Sequence, residues 1–269
     1  AKLAYRWFQA LDGESRIEKT LVRAGPRQRE CTAMAGRKKS RKRSRGRIVA
    51  KWLIGSVLVF VLASILVVLP LRWVDPPTSM FILLDDSGVE PIDHFWMPWE
   101  QLGDATALAV IGSEDQRFAD HRGLDFKAIR AAVEEQGDRG YLRGASTITQ
   151  QTVKNLYLWP GRSFVRKGLE AWMTLVAELC LSKKRILEIY LNLAEFGPGI
   201  YGVGSASDLY FGKSPRDLSD PEAALLATVL PNPKQLRVSA PTDYLRDRQG
   251  WIVQQIRRLR REGWLTRID

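Results

Sequence analysis

The longest break in the polar pattern of this 269-residue chain runs from Trp52 to Leu71, twenty residues without a charge between Lys51 and Arg72. At about 1.5 Å rise per residue such a stretch spans roughly 30 Å, the hydrocarbon thickness of a bilayer. It predicts one transmembrane helix over 48–71. A cleaved signal peptide has a shorter apolar run, about 7–15 residues, and ends in small residues. Here the run leads into Pro70-Leu71-Arg72-Trp73 instead. Residues 72–100, rich in Pro, Asp and Trp, read as a membrane-proximal linker, with Phe81 to Leu84 a short strand. From Gln101 onward the pattern turns helical. Ala107, Val110, Ile111, Glu114 and Phe118 fall at i, i+3, i+4, i+7 and i+11, one face of a helix. Further helices are predicted from Phe126 to Gly137, over 146–157, over 163–181, from Lys183 to Leu193, from Pro221 to Leu230 and over 243–262. The chain therefore reads as mainly α, with one helical domain over 101–269 that is large enough for its own core.

The net charge sits at the N-terminus. Residues 1–51 hold 16 Lys/Arg against 4 Asp/Glu, whereas the remainder is nearly neutral, with 25 against 26. The overall +11 is thus a property of the tail, which argues against a nucleic-acid-binding domain. Eight cations lie between Arg37 and Arg47, just before the apolar run. Cations flanking a span stay in the cytoplasm. Residues 1–47 are accordingly expected to be a basic cytoplasmic tail, and everything after Arg72 to lie outside the cytoplasm. The first Met is Met34, so residues 1–33 are expected to be an extension preceding the natural start. Cys31 and Cys180 would lie on opposite sides of the membrane and should not pair.

The chemistry concentrates around residues 144–155, Gly-Ala-Ser-Thr-Ile-Thr-Gln-Gln-Thr-Val-Lys-Asn. Ser146, Thr147, Thr149, Gln150, Gln151, Thr152 and Asn155 are neutral hydrogen-bonders and Lys154 is the one charge. A solvated helix face would carry Glu and Lys, and a core helix Leu and Ile. This composition suits a site that holds a sugar or phosphate ester. Glu114 falls on the same face as Val110, Ile111 and Phe118, where burial raises a carboxyl's pKa and suits proton transfer near neutral pH. Taken alone it reads more readily as a buried glutamate satisfied by Arg117 or His121. Glu170 has Arg166 at i−4 and Lys167 at i−3, which alone reads as an ordinary surface ion pair. Two carboxylates in contrasting settings are the pattern of an acid/base pair. Residues 139–185 hold nine Lys/Arg and two Asp/Glu, a local concentration of cations that fits a pyrophosphate. Leu156-Tyr157-Leu158-Trp159 with Phe164 reads as core or as a patch at the lipid interface. Gly197-Pro198-Gly199-Ile200-Tyr201-Gly202 has the spacing of a dinucleotide fingerprint but follows a helical pattern and contains Pro, so it reads as a turn. Two histidines and no clustered Cys give poor support to a zinc site or a Ser-His-Asp triad.

Four segments in order carry a resemblance. They are Glu114-Asp115-x-x-Phe118-x-x-His121-x-Gly123, Gly144-Ala145-Ser146-Thr147-Ile148-Thr149-Gln150-Gln151-x-x-Lys154-Asn155, Arg166-Lys167-x-x-Glu170, and Lys183-x-x-Ile186-Leu187-Glu188-x-Tyr190-Leu191-Asn192. Together they resemble the peptidoglycan glycosyltransferases of glycosyltransferase family 51, whose domain has a lysozyme-like helical fold. The Gly-Ala-Ser-Thr start is similar to the monofunctional biosynthetic branch, and no Ser-x-x-Lys of a transpeptidase occurs in the sequence. The resemblance implies a catalytic pair, with Glu114 the general base at the acceptor's 4-hydroxyl and Glu170 assisting at the leaving pyrophosphate, directly or through a divalent cation (Mg2+ or Mn2+). It implies no tightly bound cofactor. It implies that Lys154, Arg162, Arg166 and Lys167 hold phosphates, and that Asp115, Phe118, His121, Ser146, Thr147, Gln150, Gln151 and Asn155 bind substrate or brace the site. The implied substrates are lipid II and the growing lipid-linked glycan, joined with inversion into β-1,4 strands. The implied setting is the cell inner membrane, with a periplasmic catalytic domain and other cell-wall synthesis proteins as partners. A lysozyme-like muramidase, which cleaves the same bond with carboxylates, needs no such cation cluster. A silent scaffold would not need both glutamates.

Overall fold

The computed structural model describes residues 29–139, 146–161 and 163–268, with no side chains described for 29–44, 133 and 135–139. Gly144, Ala145 and Arg162 lie outside the described residues, as does most of the 1–33 extension. The chain divides into two units, residues 1–59 and 60–269.

Helix α1 covers Arg29–Val68 and runs on through a 3-10 turn over Leu69–Arg72. Within it, Arg45–Arg72 is long and apolar enough to cross a membrane, as the charge-free run predicts. In the second unit, α2 (Met80–Leu83), α3 (Trp99–Leu102), α4 (Asp104–Glu114), α5 (Phe126–Arg139), α6 (Ile148–Tyr157), α7 (Phe164–Cys180), α8 (Lys183–Leu193), α9 (Val203–Phe211), α10 (Asp220–Val229) and α11 (Asp243–Arg261) follow in chain order. A small sheet joins β1 (Asp93–His94), β2 (Glu195–Gly197) and β3 (Ile200–Tyr201) in the order β1-β3-β2. β2 and β3 form an antiparallel hairpin and β1 pairs parallel to β3. The glycine-rich 197–202 stretch is thus the hairpin and its flank, a turn as its Pro198 predicts.

Phe81 to Leu84 is a correction to the sequence reading. The segment is the single-turn helix α2 and no strand, because the Ser79 hydroxyl caps it by accepting the Ile82 N–H at 3.2 Å. Four apolar residues carry too little periodicity to choose between the two states. The major helices start where hydroxyls can satisfy the free N–H groups of a first turn. Ser163 caps α7, Ser182 caps α8 and Thr242 caps α11. Thr147 and Gln150 form a reciprocal capping box at the start of α6.

α4 is the floor of the core. Its residues from Thr106 to Gly112 are all buried, and it packs against α10 and α11. A helix that is apolar all round is one that is covered all round. Gly112 lets α11 approach, since a Cβ there would lie 2.8 Å from the Gln255 Cβ. α6 packs against α7 and α8 in a second layer. Asn192, with no exposed surface, anchors the segment before α3 by accepting the Met97 N–H (2.7 Å) and donating to the Met97 carbonyl (2.9 Å), while Glu188 accepts the Trp99 N–H at 2.9 Å. α7 is amphipathic in an unusual sense. One face buries Arg166, Glu170, Thr174 and Val176, and the other leaves Phe164, Val165, Leu175 and Leu179 exposed, Phe164 to 98%.

Candidate active site

Glu114 closes α4, the covered helix, and so emerges at the edge of the core half-buried. Burial raises its carboxyl above the ordinary glutamate range. The Gln151 Nε2 donor, 2.9 Å from Glu114 Oε2, and the charges of Arg248 and Lys154 pull back in part, and Asp115 adds to the rise. Gln151 is itself oriented: its carbonyl accepts from the Tyr190 hydroxyl at 3.2 Å, which turns its NH2 toward Glu114. Tyr190 is fully buried, and burial pushes its hydroxyl up, so it keeps the proton that it donates.

Glu170 sits two turns into α7, 2% exposed. Arg166 Nη1 donates to its Oε2 at 2.8 Å and Lys167 Nζ pairs with its Oε1. The i, i+3 and i, i+4 spacing read from the sequence is realised, in a buried setting that an exposed helical ion pair does not have. Lys154, a turn beyond Gln151 on α6, makes no ion pair within 4.0 Å among the described residues; its ammonium lies 5.1 Å from the centre of the Phe81 ring. Burial lowers its pKa and Glu170 opposes that, while the neighbouring Arg166 and Lys167 lower it further. Glu114, Gln151, Lys154, Arg166, Lys167 and Glu170 line one cleft of about 1020 Å³, together with Ser146. The opposite wall comes from Tyr244, Arg248 and Trp251 of α11.

The polar stretch 146–155 faces the cleft at only three positions, Ser146, Gln151 and Lys154. The other polar side chains turn inward. The Thr147 hydroxyl donates to the Gly123 carbonyl at 2.6 Å, and Gln150 returns to the Thr147 N–H at 3.0 Å. Thr149 donates to Glu178 at 2.5 Å and Thr152 to the Ile148 carbonyl at 2.9 Å. Asn155 is 8% exposed. Asp115 accepts the Ile148 N–H at 3.1 Å and meets His121 Nε2 at 2.9 Å, which pins the start of α6 to the end of α4. Phe118 has no exposed surface. Asp115 and Thr147 also line a smaller cavity of about 160 Å³ that Glu114 and Ser146 share. Asp115, Phe118, His121, Thr147, Gln150 and Asn155 are buried and do not line the main cleft, so of the two roles expected of them the geometry shows bracing. Helical geometry is the reason, since on a packed helix only positions about 3–4 apart share one open face. Gly123, at φ +82°, lies so close to α7 that a Cβ would meet Thr174 Cγ2 at 2.5 Å.

Residues 85–257 match the family model described as Transglycosylase. The chain belongs to that family. Among its relatives is a "Biosynthetic peptidoglycan transglycosylase" of Shewanella oneidensis, 48% identical over 215 residues that cover 78% of this chain and 92% of the relative. A protein of the same description from Pseudomonas aeruginosa is 45% identical over 219 residues, covering 79% and 94%. Family membership makes the chain a glycosyltransferase, and its helical core with one N-terminal apolar helix is the predicted architecture.

The sequence reading of this transglycosylase missed the α11 wall. Arg248 donates to the Ser113 carbonyl at 3.1 Å and stacks over Trp251 at 4.3 Å. In sequence it is one of many arginines on the polar face of an amphipathic helix. Its only signal is that the apolar positions Ile252, Ile256 and Leu259 fix which way that face points. Glu195, raised to about 7 by burial, is a second carboxyl that the sequence did not single out. The divalent-cation reading of Glu170 finds no donor set. Both its oxygens are taken by cations, and among the described residues no three His, Cys, Asp or Glu side chains converge.

Proposed function

We propose that the transglycosylase polymerises lipid II into β-1,4 glycan strands with inversion and releases undecaprenyl pyrophosphate. The observation that carries this is one cleft in which a half-buried glutamate with a raised pKa, Glu114, shares a wall with Lys154, Arg166, Lys167 and Glu170. Glu114 takes the proton from the acceptor's 4-hydroxyl as that oxygen attacks the donor's anomeric carbon. The bond from that carbon to the lipid pyrophosphate breaks on the opposite face. The leaving group departs with its electron pair beside Lys154, Arg166 and Lys167, where fixed positive charge in a partly dry site stabilises it. Glu170 holds Arg166 and Lys167 in place for this. The polymer, still on its lipid, is the donor, and no transpeptidase step belongs to residues 1–269. The relatives' description supports peptidoglycan as the product. The apolar helix with its preceding cations supports a single-pass anchor in the inner membrane, N-terminus inside, which puts the cleft beside a lipid-borne substrate.

The test is incubation of the full chain with labelled lipid II and separation of products on a gel. A ladder that a muramidase digests supports polymerisation. Cleavage of preformed glycan with no ladder overturns it.

Lys154→Ala removes one counter-charge for the donor's phosphates. KM for lipid II should rise roughly 10-fold or more, the weight of a charge-assisted contact, while Lys154→Arg recovers part of it. An unchanged KM in a titration of initial rates would remove Lys154 from the phosphate site. Arg248→Gln tests the base. A base works deprotonated, so activity falls as pH drops through the Glu114 pKa, which burial has raised. Arg248 holds that pKa down. Removing its charge should shift the acid limb of the pH–rate profile toward higher pH, and Arg248→Lys should leave it in place. A limb that stays fixed in Arg248→Gln would mean that Glu114 does not set it.

A further inference from the structure

The outer end of the apolar helix is bonded to α6, α7 and α8, the first two of which line the site. Trp172 Nε1, on α7, donates to Ser64 Oγ at 3.0 Å. The Tyr157 hydroxyl, at the end of α6, donates to the Val67 carbonyl at 3.2 Å. Arg185 Nε, on α8, donates to the Leu71 carbonyl at 2.7 Å. Positions 64, 67 and 71 follow helical spacing and so share one face. The same face carries Phe60, whose ring lies 5.6 Å from that of Trp172, and Val68, which is 1% exposed within the core. Ser64 is 7% exposed and its own hydroxyl proton goes to the Phe60 carbonyl at 2.8 Å, which leaves a lone pair aimed at Trp172.

Trp172 is two residues from Glu170 on the same helix. We propose that Ser64 and Trp172 are positioning residues for the transfer reaction: the span holds α7, and through it Glu170, Arg166 and Lys167, in register with Glu114 on α4. The inference rests on the polymerase reading for its activity arm only. Physical chemistry makes the contact specific. Ser64 lies seven residues, about 10 Å, inside the outer end of the span. At that depth water is scarce, so an indole N–H without a protein acceptor stays unsatisfied. Of the two serines between Trp52 and Leu71, Ser56 and Ser64, it is Ser64 that meets the indole as its acceptor. The Thr174 hydroxyl bonds back to the Glu170 carbonyl at 2.7 Å, within the same turn of α7 as Trp172.

The experiment compares full-length wild type, Ser64→Ala, Ser64→Thr, Trp172→Phe and the double variant Ser64→Ala/Trp172→Phe in one detergent. Two readouts are taken: kcat and KM on lipid II, and hydrogen–deuterium exchange of the peptide over 163–180. Both single variants should lower kcat roughly 5-fold, the ratio corresponding to one buried hydrogen bond. KM should change little, and exchange of 163–180 should rise. Ser64→Thr, which keeps an acceptor, should restore both. The double variant should be no worse than either single, as expected for two halves of one contact. Unchanged kcat and exchange in both singles, or losses that add fully in the double variant, would overturn the proposal. Wild type that makes no polymer while the exchange differences stand would instead overturn the polymerase reading and leave the contact intact.

Discussion

Glu114→Gln is expected to abolish polymer formation, lowering kcat by about 10³-fold, within the range that a positioned general base supplies. The substitution is nearly isosteric. Gln151 Nε2 retains an oxygen to donate to at that position, so its hydrogen bond to Tyr190 and the end of α4 should persist. The melting temperature should therefore stay within a degree or two of wild type, or rise slightly, because a carboxyl whose ionisation burial opposes has been replaced by a neutral group. Initial-rate assays on lipid II beside thermal melts separate the two effects. Turnover near wild type would refute the assignment of the base, and a collapsed melt would make the residue structural.

Glu170→Ala should do damage of a different kind. The carboxylate is 2% exposed and faces Arg166, whose side chain is 11% exposed, and Lys167, at 48%. Removing one member of a buried pair strands the other, at about 3–5 kcal/mol. The half-exposed Lys167 recovers some of that in water, so a loss of about 2–4 kcal/mol is expected. For a unit of this size that lowers the melting temperature by roughly 5–15 °C. Activity should fall as well, because Arg166 and Lys167 lose the group that holds them toward the leaving phosphates. Inorganic pyrophosphate at millimolar concentration should raise the melting temperature of Glu170→Ala more than that of wild type, since the stranded cations then gain an anion. Equal melts with and without pyrophosphate would show that these cations do not form an anion site.

Much of this could be read from the chain before any coordinates. The span, α6 through α8 and the amphipathic α11 follow from the periodicity of apolar positions, which is a local property. The pairing of Glu170 with Arg166 and Lys167 was legible for the same reason, being a matter of spacing on one helix. What the sequence left open was direction in three dimensions. Thr147 and Gln150 carry the same chemistry as Ser146 and Gln151, and only packing against Gly123 and the end of α4 decides that they cap and brace while the others face the cleft. Arg248 lies 134 residues beyond Glu114 in sequence, and no local pattern announces a contact of that range. The short sheet failed for a related reason: two- and three-residue strands alternate too briefly to register.

The exposed apolar edge of α7 has a practical side. A fragment trimmed of its N-terminal helix would still present Phe164, Val165, Leu175 and Leu179 to solvent, and would newly uncover Trp172, which Phe60 and Ser64 now cover. A patch of that kind makes a monomer self-associate in plain buffer. Removing that N-terminal helix would therefore not yield an ordinary soluble enzyme. Concentration, crystallisation and any screen for inhibitors would have to be carried out with detergent or lipid present, and light scattering would report aggregates where they are left out.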